Sequence, residues 1–377
     1  MRFILSTARL KEALDTVSRV TGVNPVTPIL ENVYIEARPE SVRLVGTNLD
    51  ITIDTTISEN VEILETGNFT IGSKILSSYV SLLGDDRVEV SLNSTTWMIA
   101  LESASGETKI KGMDAGKFPL PDTNIVRNMR VSIANSALKN ALEKTLFSTA
   151  KENVRPSLAG VYVKFDESSI AFASTDSYRL TEYRIPMDID GDVSGKHTII
   201  PDRSAHEVLK SLKDDKGETI LAIGDGSMSA TIGNTVVTSR LIQGKFPDYT
   251  NFFPKSFSTK VVASRNELIS GLRRIQLIAR ENKDNIRISF SHETGIEIST
   301  GETQIGNGRT IVKASLEWNE ERVGLNVVFL LEVLGVIRED FVSLDFETPL
   351  SPILVHGVPA ANPESQAFRH IIMPLKI

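Results

Sequence analysis

Asp176 and Arg179 set a carboxylate and a guanidinium three positions apart in Ser174-Thr175-Asp176-Ser177-Tyr178-Arg179. Such a pair at one corner can serve a hydrolase acting on nucleic acid. The same Ser, Thr and Asp side chains can instead bond their own backbone and hold a turn. Other patterns that carry chemistry are missing. There is no Gly-x-x-x-x-Gly-Lys-Ser/Thr, no His-Glu-x-x-His, no Gly-x-Ser-x-Gly and no Gly-x-Gly-x-x-Gly. The five histidines, His197, His206, His292, His356 and His370, show no ligand spacing. Zero cysteines exclude disulfides, zinc–thiolate sites and cysteine nucleophiles. Asp85-Asp86 and Asp214-Asp215 read as solvated loop charges at helix ends. No catalytic, metal or cofactor site is therefore expected, and a non-catalytic binding scaffold is the preferred reading.

The elements around the corner are strands. Residues 158–165 alternate, 166–169 turn, 170–173 alternate again, and 178–185 continue beyond the polar block. This is a meander built around a corner, and versions of it occur three times. Leu10-Lys11-Glu12-Ala13-Leu14 opens a helix, a strand is expected over 28–35, and Thr47-Asn48-Leu49-Asp50 makes the first corner. Leu138-Lys139-Asn140-Ala141-Leu142 opens the second set, with 156–163 answering 28–35 and Thr175-Asp176-Ser177-Tyr178 answering 47–50. A third helix begins near Leu268. Starts about 130 residues apart have the spacing of whole domains. Each copy is an α+β domain with two helices and about eight antiparallel strands.

The chain of 377 residues is 41% hydrophobic and 24% charged, as a soluble globular protein is. No apolar run approaches a membrane span. Met1-Arg2-Phe3-Ile4-Leu5 lacks the form of a secretory signal, so the cytoplasm is the expected compartment. The net charge of −7 is unevenly spread. Six expected helices, 9–21, 73–83, 136–151, 202–213, 264–280 and 325–338, hold 15 Lys and Arg against 7 Asp and Glu. They carry +8, which leaves −15 for everything else. In the fourth, Arg203, His206, Lys210 and Lys213 share a face opposite Ala205, Val208 and Leu212. A common basic surface of this kind would hold any duplex without reading its sequence.

Several segments together resemble one family. Pro28-Ile29-Leu30, the corner within 173–180, Phe246-Pro247-Asp248-Tyr249, Gly324-Leu325-Asn326-Val327 and Ile372-Met373-Pro374-Leu375 are similar to the beta subunits of bacterial DNA polymerase III, the sliding clamps. The likeness runs from Met1 to Ile377. It implies three repeated DNA-clamp domains, 1–126, 127–254 and 255–377, with helices packed on antiparallel sheets. It also implies a head-to-tail homodimer closed as a ring around duplex DNA. Such a ring is a processivity factor in DNA replication, without cofactor, catalysis or membrane.

The resemblance further implies a cleft for short peptides of the polymerase III alpha subunit, the clamp loader and other clamp-binding proteins. Its residues would be Leu158, Thr175, Ser177, Tyr178, Arg179 and Leu180, then Pro247 and Phe252, then Asn326 and Phe329, and finally Ile371, Ile372, Met373 and Pro374. An apolar groove with few polar groups suits peptides that carry hydrophobic anchors. Lys74, Lys151, Arg155 and Arg203 fall at or beside DNA-contact positions, with Lys210 and Lys213 on the same helix face as Arg203. Asn24 stands where the family often carries Arg. The dimer seam would pair an edge strand at Thr108-Lys109-Ile110-Lys111 with the partner's third domain near Leu277, Ile278 and 297–302, Lys109 and Lys111 facing Glu297 and Glu302.

Overall fold

The structure, a computed structural model, describes residues 1–22, 27–121, 129–151, 155–189, 192–213, 216–359 and 367–376. The first repeat runs β1 (Arg2–Ser6), α1 (Thr7–Val17), β2 (Asn32–Arg38), β3 (Ser41–Thr47), β4 (Ile51–Ile57), β5 (Val61–Glu65) and β6 (Gly67–Gly72). It ends with α2 (Ser73–Leu82), β7 (Arg87–Asn93), β8 (Met98–Ser103) and β9 (Gly106–Met113). The second runs β10 (Met129–Ala134), α3 (Asn135–Thr145), β11 (Gly160–Asp166), β12 (Ser169–Thr175) and β13 (Arg179–Pro186). It continues through β14 (His197–Pro201), α4 (Asp202–Ser211), β15 (Glu218–Ile223), β16 (Ser227–Ile232) and β17 (Thr235–Arg240). The third runs β18 (Thr259–Ser264), α5 (Arg265–Ala279), β19 (Asn285–Ser291), β20 (Gly295–Ser299), β21 (Arg309–Val312) and β22 (Ala314–Trp318). It closes with β23 (Glu321–Asn326), α6 (Val327–Val336), β24 (Phe341–Phe346), β25 (Ile353–Val358) and β26 (Phe368–Ile372).

The helices form where apolar residues recur every three or four positions. In α1 the buried Leu10, Ala13, Leu14 and Val17 make one stripe. That stripe lies close on the sheet, because β3 offers Gly46, where an added Cβ would stand 2.2 Å from the Val17 carbonyl oxygen. Asn326 caps α6 by accepting from the backbone N–H groups of Val328 and Phe329, at 2.9 and 3.4 Å.

Two compact units emerge, residues 1–138 with 206–241, and 139–205 with 242–377. The first holds one antiparallel sheet of thirteen strands, in the order β10-β15-β16-β17-β4-β3-β2-β6-β9-β8-β7-β1-β5. The second holds a nine-stranded sheet, β14-β11-β12-β13-β26-β25-β24-β18-β22, and a four-stranded one, β21-β20-β19-β23. Each large sheet crosses a repeat boundary: β17 pairs with β4 in the first unit, and β26 with β13 in the second. This sharing of strands is why the second repeat contributes to both units.

The structure corrects three expectations. The strands expected at 28 and 158 begin at Asn32 and Gly160, each after a 3-10 turn that its proline opens, Pro28–Glu31 and Pro156–Leu158. Proline has no N–H for the ladder and suits a turn's first position. The helices are also shorter than expected. Within their observed limits they hold ten Lys and Arg against seven Asp and Glu, a charge of +3 rather than +8. The missing five, Arg19, Lys151, Lys213, Arg280 and Arg338, lie beyond helix ends, four of them within two residues of a C-terminus. The helix dipole favours cations there. The expected domain limit at 126/127 falls outside the described residues.

Candidate functional site

The corner at 175–179 is held by its own side chains. Thr175 Oγ1 donates to the carbonyl of Arg179 at 2.6 Å and accepts from the N–H of Ser177 at 3.1 Å. Asp176 Oδ1 accepts from the N–H groups of Tyr178 and Arg179, at 2.9 and 3.1 Å. Ser177 is forced into the left-handed region at φ 78°. Ser177 and Tyr178 are thereby thrust into solvent, Tyr178 60% exposed.

Arg179 turns back from the corner and is buried. Its guanidinium meets Asp176 at 3.0 Å, the Glu332 carboxylate and the Phe147 carbonyl. It also lies 4.5 Å from the centre of the Phe329 ring. The hydrolase alternative is corrected by this geometry: Asp176 is spent on backbone and guanidinium, and Arg179 on three fixed oxygens. Among the described residues no group of three or more His, Asp or Glu could hold a metal ion.

Beside the corner runs the chain's last strand. β26 pairs with β13 so that Ile372 faces Arg179 and Ile371 faces Leu180. The N–H of Met373 then donates to the carbonyl of Tyr178 at 2.8 Å, and that of Leu375 to Gly324 in β23 at 2.9 Å. Between these bonds Pro374 has no donor to satisfy. Ile371 and Ile372 are buried, whereas Met373 is 40% exposed and Pro374 half-buried.

Leu158, Leu180 and Ile371 share one apolar cluster with Ala150, Ala173, Ile199, Phe246, Tyr249 and Phe253. Above it Pro247 and Phe252 are exposed, and the Tyr178 ring stacks on Phe329 with centroids 6.4 Å apart. Thr175 and Asn326 are structural, one holding the corner and the other the start of α6. All fourteen expected cleft residues lie in the second unit. The sequence reading missed Phe246, Tyr249 and Phe253 as floor residues. Tyr249 had a readable signal, since it closes the segment Phe246-Pro247-Asp248-Tyr249; in the structure its hydroxyl donates to the buried Glu182 at 2.8 Å. Burial pushes the Glu182 carboxyl up, but the guanidiniums of Arg184 and Arg369 outweigh that and hold it below the usual range.

The first repeat builds the same corner on a different floor. Leu49 stands at φ 78°, Thr47 Oγ1 bonds Leu49 and Ile51, and Asn48 Oδ1 accepts from Asp50 and Ile51. The pair Leu180 and Ile371 has its counterpart in Thr52 and Thr238. The N–H that bonds the corner's carbonyl, given by Met373 in one copy, comes from Arg240 in the other. One corner is therefore floored by apolar side chains and the other by hydroxyls.

Of the expected DNA contacts, Lys74, Lys151, Arg155, Arg203, Lys210 and Lys213 are all exposed, and Asn24 lies outside the described residues. On α4, Arg203, His206 and Lys210 are exposed while Ala205 and Val208 are buried, and just past its end Lys213 is exposed and Leu212 buried. Lys210 meets Glu207 at 3.2 Å and Lys213 meets Glu12 at 2.9 Å. The seam residues are less uniform. β9 bonds β8 along 106–111 but bonds β6 only at Gly112 and Met113, so 106–111 presents an edge with no strand partner among the described residues. Ile110 is buried, and Lys109 pairs with Glu107 of its own strand. Glu297 is an interior residue of the four-stranded sheet and is held by Arg309. The edge there is β21, which the sequence reading did not name; it carries exposed Ile311, with exposed Ile305 just before it and exposed Leu277 on α5.

Three family profiles cover nearly the whole chain: the DNA polymerase III beta subunit N-terminal domain at 1–122, its central domain at 132–248, and its C-terminal domain at 250–376. The chain belongs to the DNA polymerase III beta subunit family. Relatives in it include the beta sliding clamps of Bacillus subtilis, 26% identical, and Rickettsia felis, 27% identical, each match covering 100% of both chains. The solved structure of the Bacillus subtilis DNA polymerase sliding clamp superposes with a TM-score of 0.90 at 25% identity, over 100% of this chain and 99% of that one. The beta subunit structure from Streptococcus pyogenes shares the fold, with a TM-score of 0.92 at 21% identity over 100% of both chains. The beta subunit fold thus places the corner, the closing strand and their apolar floor in one unit.

Proposed function

We infer that this chain is a sliding clamp, a non-catalytic subunit that encircles duplex DNA and tethers the replicative polymerase. The observation that carries this is the match of all three beta subunit domains, in order, along the chain. We keep 1–126, 127–254 and 255–377 as the domain limits. The cytoplasm, with the bacterial chromosome, is its compartment.

Two copies close head to tail. The unpaired edge of β9 supports this, as does β21 at the end of the four-stranded sheet. Unpaired edges invite a strand from another chain. Exposed Ile75 and Leu82 on α2, with Leu277 on α5, supply apolar surface for the seam. Lys74, Lys151, Arg155, Arg203, Lys210 and Lys213 then serve the duplex through phosphates alone, as sliding requires. The cleft at Tyr178 and Met373 takes apolar peptide anchors from the polymerase alpha subunit, the clamp loader and other partners.

Retention on DNA tests the function. Loaded on nicked circles, the protein should survive salt that strips it from linear duplex. Equal salt sensitivity on both substrates would overturn the topological reading.

A further inference from the structure

Phe246 and Tyr249 turn one side to the apolar floor and the other to a second cleft of about 510 Å³ on the second unit. Its wall is aromatic: the Tyr162 ring stacks on Phe246 at 4.7 Å and 14°, meets Tyr249 edge-on at 6.2 Å, and touches His197 at 5.5 Å. Among its lining residues Lys164, Arg184 and Lys245 stand against the single carboxylate of Asp248. Lys164 and Arg184 are held in place by Asp166, at 2.6 and 3.3 Å, and Arg184 also by Glu182. Glu182 is further neutralised by Arg369. A cationic rim is out of character here, because everything outside the helices sums to −10.

We propose that this cleft is a second subsite of the partner site, and that it takes an acidic stretch flanking the apolar anchors of the same partner segment. The proposal rests on reading the floor beside Met373 as the partner cleft. Continuity carries it: Pro247 lines the second cleft and stands in the loop that supplies Phe246, Tyr249 and Phe253 to the floor. Lys245 directly precedes Phe246, which belongs to the floor and lines the second cleft as well. Charge complementarity sets orientation and encounter rate more than raw affinity. It would let one groove rank partners that share the same anchors.

Three labelled peptides with one leucine–phenylalanine anchor decide it: unextended, with four glutamates before the anchor, and with four after. One extended peptide should bind the full-length protein about three- to ten-fold tighter than the unextended one at low salt, as two or three rim charges allow. That advantage should vanish at high salt. It should also vanish in the Lys164→Gln, Lys245→Glu double variant, which should bind the unextended peptide as the unaltered protein does. Equal affinity for all three peptides, or an advantage that survives in the variant, overturns the subsite while leaving the floor intact. If the unextended peptide fails to bind, the floor reading falls and the subsite with it. Displacement by a duplex oligonucleotide, with no gain from glutamates, would assign the rim to nucleic acid and overturn the acidic segment.

Discussion

The N–H of Met373 donates to the carbonyl of Tyr178 at 2.8 Å, tying the closing strand to the corner some 195 residues earlier. Each owes its exposure to a neighbour: Tyr178 follows the left-handed Ser177, and Met373 follows the buried Ile371 and Ile372.

Deletion of residues 373–377 should therefore leave folding intact and weaken partner-peptide binding about ten-fold or more, since 1.4 kcal/mol of lost apolar contact is tenfold. Calorimetric titration of the truncated protein, with its melting transition as control, checks this. Truncation from Ile372 is a poorer test, because Ile372 is fully buried in the core.

Arg179→Met should destabilise the protein by about 2–3 kcal/mol by leaving the Phe147 carbonyl and Glu332 without their partner. The figure sits below that for a fully buried pair because the Glu332 side chain is 41% exposed. Urea denaturation reads it directly. An unchanged midpoint would mean that the guanidinium is not the tie the geometry describes.

Leu49→Gly and Ser177→Gly should each stabilise by roughly 0.5–1 kcal/mol. Glycine relieves a left-handed strain of about 1–2 kcal/mol and returns part of it as backbone entropy. Thermal melts of the two single variants measure both. Loss of stability at either position would show that the side chain contributes packing that outweighs strain.

Leu277→Lys and Ile311→Lys place a charge on exposed apolar positions at and beside the β21 edge. Each should shift sedimentation from dimer to monomer at micromolar concentration without altering the melting of the monomer.

His370 is buried on β26, its Nδ1 2.7 Å from Thr181 Oγ1. Burial, with Arg179 nearby, holds its pKa well below the usual histidine value. The unfolded chain thus binds a proton that the folded one refuses. Stability is complete above about pH 6.5 and falls by about 1.4 kcal/mol per pH unit below it. His356 has the opposite sign: Asp345 outweighs burial and raises its pKa, so its contribution is present at low pH and lost as pH rises through that value. His370→Leu should flatten the acid limb of the stability profile relative to the unaltered protein, leaving the His356 limb in place.

Much of this was legible in the sequence because each signal was local. Thr175-Asp176 and Thr47-Asn48 advertise side chains that bond their own backbone, and the repeat shows in the helix openings at Leu10 and Leu138. The exposed face of α4 followed from the spacing of Arg203, His206 and Lys210. What escaped was set by pairing between distant strands. Nothing local to Glu297 says that it is interior and β21 the edge, and nothing local to Ile110 says that its side chain turns inward. Phe246 reads only as part of a matching segment, and its place on the floor depends on packing against distant strands such as β11, where Tyr162 stacks on it. The excess of charge in the helices was overstated because the cations sit just past the helix ends, where periodicity alone draws no line.

The strand pairings that join the repeats also set a timetable for synthesis. β13 leaves the ribosome about 190 residues before β26, and β4 about 180 before β17. At about 5–20 residues per second each edge waits roughly 10–40 s for its partner. During that interval the nascent chain shows an open strand beside an unfinished apolar floor, the surface that other unpaired strands seek. Slower translation lengthens that exposure.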